Sequence, residues 1–254
     1  MTVHEHDAVT AELGRLRHDG APGLAGKVFT DWLRAPSRVG EVFVAFTGDG
    51  VQFVRSAESV DGEPGRFADA YRRRFARPLR PADHGPAGLL PALRGRRCAA
   101  PRLDLGALTS FERDVLAATR TIPAGETRPY GWVAREAGRP TAVRAVASVL
   151  ARNPVPLLVP CHRVVRADGA PGEYMLGPER KIALLQGEGA NLDDVADLAG
   201  HGVHYLGSDT TRIVCFPTCH QARRITPAHR AGFATVGAAV AAGYRPCRSR
   251  RPAA

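Results

Sequence analysis

Cys161 and His162 stand side by side in Pro160-Cys161-His162-Arg163-Val164, directly after the apolar run Pro154-Val155-Pro156-Leu157-Leu158-Val159. A thiol is a strong nucleophile only as thiolate, and a nearby imidazole is the usual means of deprotonating it near neutral pH. The pair therefore reads as a nucleophile with its base. The competing reading is a buried core cysteine beside a chance histidine. The apolar run reads as an extended segment. Successive side chains there point to opposite faces, so His162 need not touch Cys161 directly and a bridging water can connect them.

Composition bounds what such a pair could serve. The chain has 254 residues, with a formal net charge of +10 and 44% hydrophobic residues. That length allows one large domain or two to three small ones. The charge favours a polyanionic partner, and nucleic acid fits best. Lys27 and Lys181 are the only lysines, and the abundance of Arg, Ala, Gly and Pro points to codon bias as part of that charge. No apolar run reaches 18 residues, so no membrane span is expected. The segment Met1-Thr-Val-His-Glu-His-Asp7 has neither a basic nor an apolar stretch, and the five cysteines are odd in number. Both argue against secretion and for the cytoplasm. Cys98 reads as a small buried apolar side chain.

The elements that would hold the pair can be read from pattern. Glu41–Thr47 and Val51–Arg55 read as strands joined by a hairpin at Gly48-Asp49-Gly50. Phe67, Ala70, Tyr71 and Phe75 recur at helical spacing, with arginines 72–74 on the solvated face. The Pro-, Gly- and Arg-rich stretch 81–101 reads as a linker. Ser110 is placed to cap a helix from Phe111. Trp132–Ala137 and Ala142–Ala151 form a helix-turn-helix pattern, with Thr141 as N-cap. A helix over Glu179–Leu185 and further short helices near Asp193–Leu198 and Ala238 complete the pattern, with extended chain between 204 and 215.

Ile122-Pro-Ala-Gly-Glu-Thr127, Tyr130-Gly131, Val133-Ala134, Arg144-Ala-Val-Ala-Ser148, Asn153, the Cys161 motif, Gly172-Glu-Tyr174, Lys181 and Leu184-Leu185 together resemble the O6-alkylguanine-DNA alkyltransferases. The resemblance covers residues 102–189 and implies DNA repair by direct, stoichiometric alkyl transfer from guanine O6 to Cys161. It implies that His162 works through a relay with Glu188 as its orienting carboxylate, and that Asn153 orders the active-site loop. Tyr130 and Tyr174 are then pocket tyrosines, and Arg144 is the finger that fills the stack when the base is extruded. Met175 has no side-chain hydroxyl, so a hydrogen bond to O6 there must come from its backbone. No cofactor is needed for the transfer. The implied partner is double-stranded DNA containing O6-alkylguanine, met by a monomer.

Cys215-Phe-Pro-Thr-Cys219, Tyr244-Arg-Pro-Cys247 and Gly207-Ser-Asp-Thr-Thr211 resemble the metal-binding domain of the Ada adaptive-response proteins. That resemblance implies zinc on Cys215, Cys219 and Cys247, and methyl removal from DNA phosphotriesters by Cys215. The chain departs from the pattern at Arg250, where the family carries the fourth cysteine. His220 and His229 are the alternative fourth donors. Structural zinc takes four ligands, whereas three plus water is an open site.

The expected fold class is α/β (α+β). The expected domains are a sheet-containing unit at 1–100, a helical helix-turn-helix catalytic unit at 101–190, and an Ada-type unit at 191–254. The runner-up function is a damage-sensing DNA-binding regulator, which the cysteine at 161 disfavours. The regulatory helices usual in Ada are not found, so promoter activation is not expected. A cysteine hydrolase would leave Arg144 and Tyr130 unexplained.

Overall fold

The computed structural model describes residues 28–252. The expectations for Met1–Asp7, and for the start of the 1–100 unit, lie outside the described residues. The class is α/β in the α+β sense, with sheets and helices in separate layers.

The first sheet has the order β3-β2-β1-β4, built from β1 (Thr30–Ser37), β2 (Gly40–Thr47), β3 (Gly50–Ser56) and β4 (Leu79–Pro81). β1, β2 and β3 are antiparallel neighbours, and β4 joins β1 in parallel. Alternate residues of β2 serve two cores. Phe43 and Ala45 pack with Phe53, Phe67 and Tyr71 under α1 (Pro64–Phe75). Val42, Val44 and Phe46 face the helical layer. A strand buried on both sides reads as a nearly unbroken apolar run, as Val-Phe-Val-Ala-Phe does here. Arg72 and Arg73 are exposed as expected, but Arg74 is half-buried and donates to the Arg152 carbonyl at 2.9 Å.

The stretch 81–101 is not a bare linker. It contains α2 (Leu89–Leu93), whose Leu89 and Leu93 are buried in the shared core. Cys98 is exposed, against expectation. The next helix, α3 (Ser110–Arg120), is capped by Thr109 rather than Ser110. The Thr109 and Glu112 side chains exchange hydrogen bonds with each other's backbone N–H, the reciprocal arrangement that satisfies two free helix-end donors.

β5 (Arg128–Pro129) leads into α4 (Tyr130–Glu136), and a turn through Gly138 leads into α5 (Val143–Ala151). This pair is the helix-turn-helix. Thr141 is exposed and does not cap α5. Ala142 holds the N-cap position with no side-chain hydrogen bond. β6 (Val164–Val165) pairs in parallel with β5. α6 (Pro178–Gly187) and α7 (Leu192–Gly200) follow. The last sheet, in the order β10-β8-β7-β9, is made of β7 (Tyr205–Ser208), β8 (Ile213–Cys215), β9 (Arg230–Phe233) and β10 (Arg245–Pro246), with α8 (Val236–Ala241) alongside. Among the described residues no helix is long and apolar enough to cross a membrane.

Candidate active site

The apolar run before Cys161 is a folded loop and not a strand. Leu157 takes a left-handed backbone conformation (φ 72°), and only Pro156 and Val159 form a bridge. Cys161–Arg163 form one turn of 3-10 helix, so the alternation of an extended segment does not apply to Cys161 and His162.

Asn153, fully buried just after α5, organises the loop. Its Oδ1 accepts from the Val155 N–H at 3.0 Å. Its Nδ2 donates to the Val159 carbonyl at 3.1 Å and to the Cys161 sulfur at 3.2 Å. The sheet contributes as well, because the Val54 N–H donates to the Pro154 carbonyl at 2.7 Å. The amide of Asn153 thus ties both ends of the loop to the thiol it presents.

Cys161 is 4% exposed and lines a cavity of about 300 Å³ with Tyr130, Ser148, Ala151, Glu173, Tyr174 and Met175. Burial pushes its thiol pKa up, against the Asn153 hydrogen bond and the Lys181 charge, which favour the thiolate. The Tyr174 hydroxyl is buried without a protein partner. Lys181 is fully buried and donates to the carbonyls of Val164 (2.7 Å) and Glu173 (3.3 Å), and burial lowers its pKa to about 8. It therefore links β6 to the wall of the cavity.

His162 is fully buried, with Nε2 3.0 Å from Glu188 Oε1. Glu188 caps the C-terminus of α6 and collects further donors. Arg163 binds it twice, from Nε at 2.8 Å and Nη2 at 2.9 Å; Arg38 donates at 2.7 Å and the Gly125 N–H at 3.2 Å. Burial alone would raise its pKa, but the hydrogen bonds from His162 and Arg163 hold the carboxyl well below the usual range. Burial lowers the pKa of His162, against the opposing pull of Glu188, and so favours the neutral imidazole. A neutral ring that donates from Nε2 to a carboxylate leaves Nδ1 unprotonated. That Nδ1 is buried and has no hydrogen-bond partner in the protein. Gly125 sits so tightly here that a Cβ would come within 2.5 Å of the Glu188 carbonyl oxygen.

Cys161, His162, Glu188, Asn153, Tyr130 and Tyr174 thus converge in one region. Arg144 does not line the cavity; it is exposed on α5, one turn before the cavity-lining Ser148, whose hydroxyl donates to the Arg144 carbonyl at 3.2 Å. Arg163 and Arg38 were not anticipated. Arg163 lies within the motif and could have been suspected, whereas Arg38 carries no local signal.

The sulfurs of Cys215, Cys219 and Cys247 lie within 4.8 Å of one another, and all three residues are buried. The Cys215 thiol faces Cys219, and this contact, with the Gln221 and Ala222 N–H groups, holds the Cys219 pKa down against burial. The same contact pushes the pKa of Cys215 up. No histidine or carboxylate joins the sulfurs among the described residues. His229 instead pairs with Asp209 at 3.0 Å, and Arg250 is turned onto Glu126. The thiols suit a soft cation, but a closed four-donor zinc site does not fit this set.

Comparison with known proteins accords with both regions. Residues 110–190 match the model of the 6-O-methylguanine DNA methyltransferase DNA-binding domain, and residues 195–253 that of the metal-binding domain of Ada. The bifunctional transcriptional activator/DNA repair enzyme Ada of Escherichia coli is 49% identical over 83 residues, 33% of this chain and 23% of that one. A methylated-DNA–protein-cysteine methyltransferase of Methanothermobacter thermautotrophicus is 45% identical over 91 residues, 36% of this chain and 51% of that one. The chain thus spans about half or less of these curated relatives. Among solved structures, the Mycobacterium tuberculosis O6-methylguanine methyltransferase is 33% identical with TM-score 0.50, covering 63% of this chain and 92% of that one. The OGT of the same organism in complex with DNA is 31% identical with TM-score 0.50, covering 67% and 99%. Since likeness at 31% identity or more extends over nearly the whole of those solved chains, this chain belongs to the O6-methylguanine DNA methyltransferase family.

Proposed function

We propose that this chain repairs DNA by moving a methyl or larger alkyl group from guanine O6 to Cys161, each molecule acting once, as a methylated-DNA–[protein]-cysteine S-methyltransferase. The observation that carries the reading is the buried Cys161 thiol at a cavity beside the helix-turn-helix, backed by a neutral His162 whose Nε2 is committed to Glu188.

The roles follow from that geometry. O6 lies inside the duplex stack, so the base must leave the helix to reach a buried thiol. α5 presents small residues and Arg144 toward DNA; Arg144 occupies the space the base vacates. Tyr130 and Tyr174 line the pocket. The Cys161 proton passes to His162 Nδ1 through a bridging water, and the imidazolium is stabilised by the anionic Glu188. The thiolate then attacks the alkyl carbon. A carbon–sulfur bond forms, the carbon–O6 bond breaks, and its electron pair stays on guanine, which takes a proton from water while His162 returns the Cys161 proton to solvent. The thioether product has no hydrolytic exit. This chemistry requires no cofactor.

We assign residues 1–100 to a sheet-containing support, 101–190 to the catalytic unit and 191–254 to an Ada-type unit. The assignment includes monomeric action on duplex DNA in the cytoplasm, where the free cysteines would stay reduced. Zinc would enter only as an ion held by the Cys215, Cys219 and Cys247 sulfurs, with its fourth position outside that set.

A second reading, methyl removal from DNA phosphates by Cys215, is favoured by one feature. A cavity of about 460 Å³ is lined by Cys215 and Cys247 together with Arg224, Arg245 and Arg248.

The test is stoichiometry. Excess duplex DNA carrying labelled O6-methylguanine should load one methyl per protein and then stop. Cys161→Ala should transfer none while still binding DNA, because binding is spread over many phosphate contacts. Continued turnover, or undiminished transfer by the variant, would contradict the proposal.

A further inference from the structure

Glu126 lies in the segment just before β5 and is 2% exposed. Its carboxylate gathers donors from both sides of a junction. Arg128 binds it from the neighbouring strand. From the far end of the chain Arg250 binds it twice, from Nε at 2.8 Å and Nη2 at 3.0 Å. The His220 N–H approaches at 3.3 Å. Such a two-pronged arginine–carboxylate pair fixes orientation as well as distance.

The surroundings repeat the connection. Trp132 Nε1 donates to the Arg250 carbonyl at 2.9 Å, and the Thr127 N–H donates to Thr218 Oγ1 at 2.9 Å. Arg223 donates to the Gly189 carbonyl at 2.9 Å. The Arg128 guanidinium lies 4.8 Å from the Phe216 ring centre. Residues 195–252 are thus seated on the strand and helix that begin the helix-turn-helix.

Position 250 follows the last member of the thiol cluster by three residues. The Cys247 N–H bonds to the Val214 carbonyl, and the Arg251 N–H bonds back to the Cys247 carbonyl, so residue 250 sits on the turn that delivers Cys247 to its partners. Arginine cannot ligate a cation, and this one reaches across to Glu126.

We infer that Arg250 is an interdomain clamp: its ion pair with Glu126, and not a bound metal ion, keeps residues 195–252 folded against the catalytic unit. Arg250 is partly exposed and Glu126 is buried, so removing Arg250 leaves the carboxylate with Arg128 as its one charged partner and two charge-assisted hydrogen bonds lost. The metal is accordingly dispensable for the fold, and the C-terminal unit is a resident partner of β5 and α4.

Calorimetry on the full chain tests this, with protein stripped by a chelator and protein given excess zinc. The expected result is one unfolding transition, with Tm agreeing within about 2 °C between the two preparations. Arg250→Ala should lower that Tm by about 5 °C or more, or split off an early transition. Arg250→Lys, which keeps a charge but loses the fork, should recover part of the loss. A stripped wild-type protein that loses a transition or several degrees overturns the inference, and that arm needs no variant to fold. So does Arg250→Ala unfolding like the wild type.

Discussion

Arg38 holds the Glu188 carboxylate at 2.7 Å across 150 positions of chain. It sits between β1 and β2, and its partner caps the helix beside the histidine relay. The N-terminal sheet therefore reaches the candidate proton path directly. Arg38→Ala leaves Glu188 with Arg163 and Gly125, so the carboxylate stays charged but loses one of its anchors. Alkyl transfer should slow about 3- to 10-fold, with a stability loss of about 1 kcal/mol. Single-turnover kinetics and urea unfolding measure the two. An unchanged rate would restrict Arg38 to packing.

Glu188 gives a pH signature. Its folded pKa lies below its ordinary value, so its stabilisation is present above about pH 4.5 and is lost as pH falls toward the folded value. Glu188→Gln should cost about 3 kcal/mol at pH 7, because His162, Arg163 and Arg38 lose a charged partner. The gap between wild type and variant should narrow steadily below about pH 4.5. A gap that stays constant with pH would mean that the carboxylate is not held ionised by these groups.

Arg144 is exposed on α5 and is not among the residues lining the pocket. Arg144→Ala should therefore slow repair in duplex DNA by 10-fold or more while leaving reaction with free O6-benzylguanine within about 2-fold, since a free base needs no extrusion. Rates on both substrates decide. Equal losses would place Arg144 in the pocket chemistry.

Arg250→Cys exchanges a clamp for a ligand. It adds a fourth thiol to Cys215, Cys219 and Cys247 and strips Glu126 of its two-pronged partner. The variant should hold one zinc tightly against a competing chelator and unfold earlier once the metal is removed. Metal analysis beside calorimetry reads both. If the wild type already holds zinc as tightly, a fourth ligand exists outside this set.

The catalytic region was legible because its signals are local. The Cys161 motif, the Asn153 position and the helix-turn-helix each occupy a short run. The β2–β3 hairpin was legible through its Gly-Asp-Gly turn, although β1 was not. The stretch 81–101 misled because Pro91 and the surrounding glycines and arginines mask α2, which is held by burial of Leu89 and Leu93. The loop before Cys161 looked like a strand because its residues are apolar. Its turn depends on a left-handed Leu157 and on Asn153, neither of which an apolar run announces. The pairs Arg38–Glu188 and Glu126–Arg250 were illegible because each joins residues more than 100 positions apart, and no spacing rule connects them.

The most direct test of the account is to expose the full chain to randomly methylated duplex DNA and locate the added methyl groups by peptide mass mapping. The account predicts one methyl on the peptide bearing Cys161, appearing as O6-methylguanine disappears from the DNA. A methylated Cys215 peptide would add the second reading to the first. Loss of O6-methylguanine with Cys161 unmodified would contradict the central claim.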